Sequence, residues 1–289
     1  MNWVTDPFSS AFMQRALAGG ILVSVICSIV GTFVVLRGLA FMGDALAHGV
    51  IPGIAWATLI DAPGILGAGI AAGVTIFGVN IVTRNSRLSS DTAIGLLFVG
   101  MLALGVVVVS ASDNFRGDIV NILFGDILGL GNSEIWTLAI TALVVAGVVF
   151  LFHRPLLLLS FDPEQARTAG YSDKVYSTFL LFLVAGAIIV SFQTVGTLLV
   201  FAMLLAPAST GTLIGRRIST IMATAIVAGI FSAFAGLLLS FHYDLATSAS
   251  IALTAVSLFF ITLAASSLRL TPKHAYDPRQ GSARKSNYV

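Results

Sequence analysis

Polar residues along this chain are clustered, and long apolar runs separate the clusters. Nine windows of about 20 mostly apolar residues stand out: 14–36, 40–60, 63–83, 92–111, 134–152, 175–193, 195–214, 218–240 and 247–268. Each is long enough to cross a hydrocarbon layer of roughly 30 Å as a helix. None alternates apolar and polar positions with the period of two that a spanning strand requires. A helix also satisfies its backbone polar groups within its own segment, which lipid demands. The pattern therefore predicts an all-α integral membrane protein, a polytopic bundle of eight or nine transmembrane helices. The uncertainty in number lies at the weak turn in SFQTVGTLL, which divides 175–193 from 195–214.

The segments between windows carry their own patterns. Residues 113–133, DNFRGDIVNILFGDILGLGNS, are amphipathic and predict a short helix lying at the outer surface. Residues 153–174, HRPLLLLSFDPEQARTAGYSDK, form the longest inner loop. Within it DPEQARTAG predicts a short helix. Asp162 is a natural N-cap, Pro163 and Glu164 suit the first turn, and Gly170 is a C-terminal stop. On pattern alone this is either an ordinary surface helix or a docking helix for a partner. Within 64–73, GILGAGIAAG, small residues recur at three- and four-residue spacing, which lets helices approach closely. The membrane domain is expected over residues 1–270. Residues 271–289 form a polar, basic tail that is expected to be disordered.

Composition agrees with the pattern. The chain is 57% hydrophobic and only 10% charged, against roughly 25% charged in an ordinary soluble domain, which leaves too few charges to coat a soluble globule. With nine spans and the C-terminus inside, thirteen of the fifteen basic residues fall on the inner side, all but Arg15 and Arg116. That asymmetry predicts N-terminus out and C-terminus in. The outer set includes Asp61, Asp113, Asp118, Asp126, Glu134 and Asp244, an acidic mouth that would favour arriving cations. The N-terminal stretch lacks a basic region before its first apolar run, so that run is expected to stay as a helix. The single cysteine, Cys27, excludes an intrachain disulfide and a cysteine-based zinc site. The three lysines, at 174, 273 and 285, follow Asp, Pro and Arg, so none completes a Walker A loop. No exposed Ser-His-Asp arrangement is present. The chain is therefore not expected to be an enzyme, and any ATP-driven work falls to another subunit. No nucleic-acid partner is expected.

One apolar window contains ionisable residues. VLRGLAFMGDALAHGVIPGIAWATLI places Asp44 and His48 inside the second span. Such groups are costly in hydrocarbon and usually face a bundle interior or an aqueous path. Residues four apart share a helix face. Carboxylate oxygen and imidazole nitrogen are good ligands for zinc and manganese. Pro52, four residues further on, removes an N–H and frees a carbonyl near the same level. Interrupted helices at midplane are a feature of transport sites. Three readings stand at this point: a hydrogen bond tying two helices, a metal-handling site, or a proton relay. Two ligands are too few for a closed four-coordinate zinc site. Another helix, water, or a second copy bringing its own Asp and His would have to complete it. His153, His242 and His274 offer no obvious partner; His242 and Asp244 read as an entrance site or as a polar helix-end turn.

Three stretches together resemble one family: VLRGLAFMGDALAHGVIPG (35–53), LSFDPEQARTAG (159–170) and VGTLLVFAMLLAPASTGTLI (195–214). They are similar to the permease subunit of metal-type ABC importers, the zinc/manganese/iron ABC-3 family, and the similarity covers about residues 10–270. The resemblance implies a type II importer permease working as a homodimer with two cytoplasmic ABC ATPase subunits. An extracytoplasmic metal-binding protein delivers the ion. It assigns Asp44 and His48 as pathway metal ligands. Glu164, Ala166 and Gly170 match the importer coupling motif E-A-A-x-x-x-G, capped by Asp162, with Gln165 departing at the second position. Pro207 matches a helix-breaking proline and, with Pro52, is expected to shape the pathway. No permanent cofactor is implied; the divalent metal, zinc or manganese with a lean to zinc, is cargo. The implied location is the bacterial cytoplasmic membrane, multi-pass, with a cytoplasmic C-terminus. The rivals are a siderophore or cobalamin permease, which would not need the Asp–His pair, and an ion-coupled secondary carrier, which would need no ATPase.

Overall fold

The computed structural model describes residues 6–85, 90–110, 125 and 127–269. Among them the regular structure is entirely helical, and seven helices are long and apolar enough to cross a membrane. The helices are α1 (Ala11–Leu36), α2 (Ala40–Gly49), α3 (Ile51–Leu59), α4 (Gly64–Asn85), α5 (Ser90–Ser110), α6 (Asn132–Leu151), α7 (His153–Phe161), α8 (Pro163–Thr168), α9 (Asp173–Val195), α10 (Thr197–Ile214), α11 (Ile218–Tyr243) and α12 (Thr247–Arg269). The window at 40–60 is filled by two half-length helices, α2 and α3. The window at 92–111 is filled by α5.

Two groups of helices meet along α9. In one, α1 packs against α6, α10 and α11, and α10, α11 and α12 pack on one another. In the other, α2 and α3 lie against α5, and α3 also packs along α4. The α9 helix touches α1, α2, α4 and α6, joining the groups. Apolar side chains line both sides of these contacts, so burial follows from shape: Phe33, Leu46, Ile76, Leu199 and Met203 are almost fully enclosed.

Close approach is concentrated where α3 crosses α4. A Cβ on Gly53 would strike the Gly67 carbonyl oxygen, and one on Gly67 would strike that of Gly53. Of the small residues in 64–73, Gly67, Ala68, Ala71 and Ala72 are buried, whereas Gly69 is exposed. The stripe is thus a packing face, as its spacing implies.

The ambiguous division between the sixth and seventh windows falls at Gly196. Its φ of +83° and ψ of 163° lie in a region that side chains with a Cβ rarely adopt, so α9 ends there and α10 begins directly after it.

One connecting segment, and the described end of a second, depart from expectation. Residues 153–161, read as part of a loop, form α7, with Pro155, Leu156 and Leu159 buried. Of the 113–133 segment, residues 113–124 and 126, with Asp113, Arg116, Asp118 and Asp126, lie outside the described residues. Its described end is a tight 3₁₀ turn, Ile127–Gly129, in which Ile127 and the following Leu130 are buried against the bundle rather than lying on its surface. Apolar side chains at that end gain more by entering the groove beside α1 than by lying at the interface. The tail at 271–289 also lies outside the described residues.

Candidate metal-handling site

The second span begins after a short turn, 37–39, that follows α1. Arg37 closes α1 and reaches across the bundle. Its guanidinium donates to the Ser177 hydroxyl at 2.8 Å and lies 3.5 Å from the Asp173 carboxylate. The Ser177 hydroxyl in turn donates to Asp173 at 3.0 Å. Arg37 is only 12% exposed. Burial pulls its guanidinium below the ordinary value, and the Asp173 carboxylate opposes that pull. This cluster fastens the start of α2 to the first turn of α9.

From that anchor α2 runs with one face packed and one open. Met42, Gly43, Ala45, Leu46, Ala47 and Gly49 are buried. The open stripe holds Phe41, 69% exposed, and then Asp44 and His48, with 27% and 25% of their side chains exposed. The four-residue spacing places the two polar groups on adjacent turns. His48 Nδ1 lies 3.2 Å from Asp44 Oδ1, and also 3.2 Å from the Asp44 carbonyl oxygen. Among the described residues, Nε2 of His48 has no hydrogen-bond partner. The ring is steadied by Phe98 of α5, which meets it edge-on at 5.6 Å.

The bond between the two residues is internal to α2. It does not join two helices, so the helix-tying reading of the pair has no partner helix to act through. Among the described residues, no group of three or more His, Cys, Asp or Glu side chains comes together. One chain therefore brings one carboxylate oxygen and one imidazole nitrogen, both atoms of a kind that can ligate a metal, to one partly exposed face of α2.

The backbone below the pair is interrupted. Val50 separates α2 from α3 with φ −80° and ψ −19°, still helical, so the interruption is a single-residue joint rather than a loop. Pro52 cannot donate to the His48 carbonyl, which accounts for the joint's position. Pro52 is held by α5, where a Cβ on Gly105 would come within 3.3 Å of the proline ring. Pro207 is buried inside α10. One turn before it, Leu204 covers Gly43, leaving only 2.8 Å to a Cβ placed there. Pro207 thus lies on the helix that backs the residue preceding Asp44.

The other expected site residues form a separate feature. Asp162 caps α8 by accepting from the Glu164 and Gln165 amides at 3.1 and 3.0 Å. Ala166 is fully buried, while Glu164, Gln165, Arg167 and Thr168 face outward. The helix ends in a Schellman motif: Tyr171 N–H donates to the Ala166 carbonyl at 2.9 Å and Gly170 N–H to that of Arg167 at 3.0 Å. Gly170 supplies the φ of +85°. Directly after it, α9 begins at Asp173, the residue paired with Arg37. A short chain of contacts therefore links α8 to the start of α2. Sequence reasoning missed Arg37 because a basic residue at a span end reads as a boundary marker. It missed Phe98 because one aromatic in an apolar run carries no signal.

Residues 9–266 match the model of the ABC 3 transport family. The chain is 39% identical over 251 residues to the manganese transport system membrane protein MntC of Halalkalibacterium halodurans, spanning 87% of this chain and 86% of that protein. It is 35% identical over 264 residues to the chelated iron transport system membrane protein YfeD of Yersinia pestis, 90% of this chain and 87% of that one. Among solved structures, PsaBC from Streptococcus pneumoniae in complex with Fab superposes with a TM-score of 0.81 at 30% identity, covering 90% of this chain and 94% of that chain.

Proposed function

We propose, on the premise that the chain belongs to the ABC 3 transport family, that it is the permease through which an ATP-driven importer passes a divalent transition metal ion. Membership makes it a multi-pass plasma-membrane transporter subunit of the metal-importer type. The metal, the ligands and the assembly are our reading. The observation that carries it is the Asp44–His48 pair, 3.2 Å apart on an open stripe of an otherwise packed helix.

Two copies facing each other across Phe41, Asp44 and His48 would bring two carboxylates and two imidazoles together. That set is enough to hold an ion whose hydration has been stripped, and sparse enough to release it. Asp44 would supply oxygen and hold the His48 ring through Nδ1, leaving Nε2 for the ion. The Pro52 joint lets α2 and α3 move as separate segments. Two cytoplasmic ATPases would dock on α8, and an extracytoplasmic binding protein would deliver the ion to the opposite face. With that orientation the C-terminus would lie in the cytoplasm and the N-terminus outside. Mixed oxygen and nitrogen ligands accept manganese, iron and zinc alike. The relatives named for manganese and iron move our reading from zinc to manganese.

The test is uptake into vesicles holding the chain with its ATPase and binding protein, with manganese, iron and zinc competed against one another. ATP-dependent manganese accumulation, suppressed by excess iron or zinc according to their affinity, is expected. Absence of ATP-dependent uptake of any divalent metal would reject the proposal.

A further inference from the structure

A second site lies away from the Asp44–His48 stripe, at the end of the bundle that carries α7 and α8. The inner halves of α1 and α6, with α7 and the first turns of α11, line an open groove of about 720 Å³. Its wall is apolar, built from side chains such as Phe33, Val149, Leu157 and Met222. Its rim carries Arg216, Arg217 and His153, and no acidic side chain lines it. Both arginines are exposed, and among the described residues neither is in an ion pair. From Arg217 to Ile226 the α11 wall is about 13 Å long, the depth of a partly inserted acyl chain.

An apolar groove between membrane-spanning helices, with two arginines at its mouth, matches one kind of molecule in both parts. We propose that this groove binds an anionic phospholipid, its acyl chain against α1, α6 and α11 and its phosphate between Arg216 and Arg217. A soluble anion would leave the apolar wall uncovered. A neutral lipid would leave the two guanidiniums without a counter-charge at the membrane boundary. Each basic residue at a membrane surface strengthens anionic-lipid binding about five-fold, so the pair should give about a 25-fold preference. The assignment is independent of the metal reading, since it uses neither Asp44 nor His48.

Native mass spectrometry of the full-length protein in detergent tests it, with phosphatidylglycerol and phosphatidylethanolamine added at equal concentration. The wild-type protein should retain phosphatidylglycerol about 25-fold better. The R216Q/R217Q variant should lose that preference and keep its phosphatidylethanolamine binding. Ala146→Trp, which fills the apolar wall, should lower retention of both lipids. Equal retention of the two lipids by the wild-type protein would overturn the proposal, and that comparison holds even if a variant fails to fold. So would unchanged phosphatidylglycerol retention in a well-folded R216Q/R217Q. If R216Q/R217Q instead abolishes co-purification of the ATPase without altering lipid retention, the arginines serve the ATPase and the lipid assignment is wrong.

Discussion

Gly67 and Gly69 sit two residues apart on α4, and the same substitution at each should have different consequences. A Cβ on Gly67 would meet the Gly53 carbonyl oxygen, lie 2.7 Å from the Gly53 carbonyl carbon and 2.8 Å from the Ala57 Cβ. Ordinary contact begins at 3.4 Å, so the carbonyl carbon alone would require α3 and α4 to separate by about 0.7 Å, and the closer carbonyl oxygen requires more. A Cβ on Gly69 would meet nothing within 4 Å. Overpacking of this kind costs about 1–3 kcal/mol. The gain in helix propensity from Gly to Ala, about 1 kcal/mol, is common to both variants and cancels in their difference. Gly67→Ala should therefore be less stable than Gly69→Ala by about 1–3 kcal/mol. For a chain of this size that corresponds to about 2–12 °C in melting temperature. The assay is thermal unfolding of the two purified variants in the same detergent, followed by intrinsic fluorescence. Because α3 follows directly on the joint after His48, Gly67→Ala should also slow metal uptake. Equal melting temperatures would refute the reasoning that this crossing is set by backbone contact.

Arg37→Gln should destabilise the fold by about 1–2 kcal/mol, below the full worth of a charged hydrogen bond because Asp173 keeps some solvent contact; a melt against wild type reads it, and no change would mean that the cluster is not a fastening. Asp162→Ala removes the acceptor for two α8 amides and should cost that helix about 1 kcal/mol. Hydrogen exchange at Glu164 and Gln165 should quicken about five-fold at that cost, with exchange in α9 unchanged; uniform acceleration would point to global loosening instead.

Much of the fold was legible because lipid imposes a length rule on every span. The windows at 14–36 and 218–240 coincide with α1 and α11 to within three residues, since nothing but length and apolarity sets those ends. Even the interrupted second span was foreshadowed, because Pro52 announces a missing donor wherever it falls. What escaped had no such rule. The α7 helix is nine residues long, below the span criterion, and its Pro155 reads as a breaker although it sits in a first turn. The inward turn at Ile127 depends on a groove made by distant helices. The Asp44–His48 face was legible from spacing alone, because a helix brings residues four apart together whatever surrounds it. Its anchorage by Arg37 and Asp173 was not, since they stand 136 positions apart and only the packed bundle joins them.

In the proposed function the Asp44–His48 pair hands the cation across the membrane. The most direct measurement is ATP-dependent manganese uptake by vesicles containing the assembled transporter, with Asp44→Ala and His48→Ala compared with wild type while ATP hydrolysis is followed in the same samples. Uptake should fall at least about ten-fold in each variant, as expected when a ligand or its orienting partner is lost, with assembly and ATP hydrolysis persisting. Uptake at the wild-type rate in both variants would contradict the account.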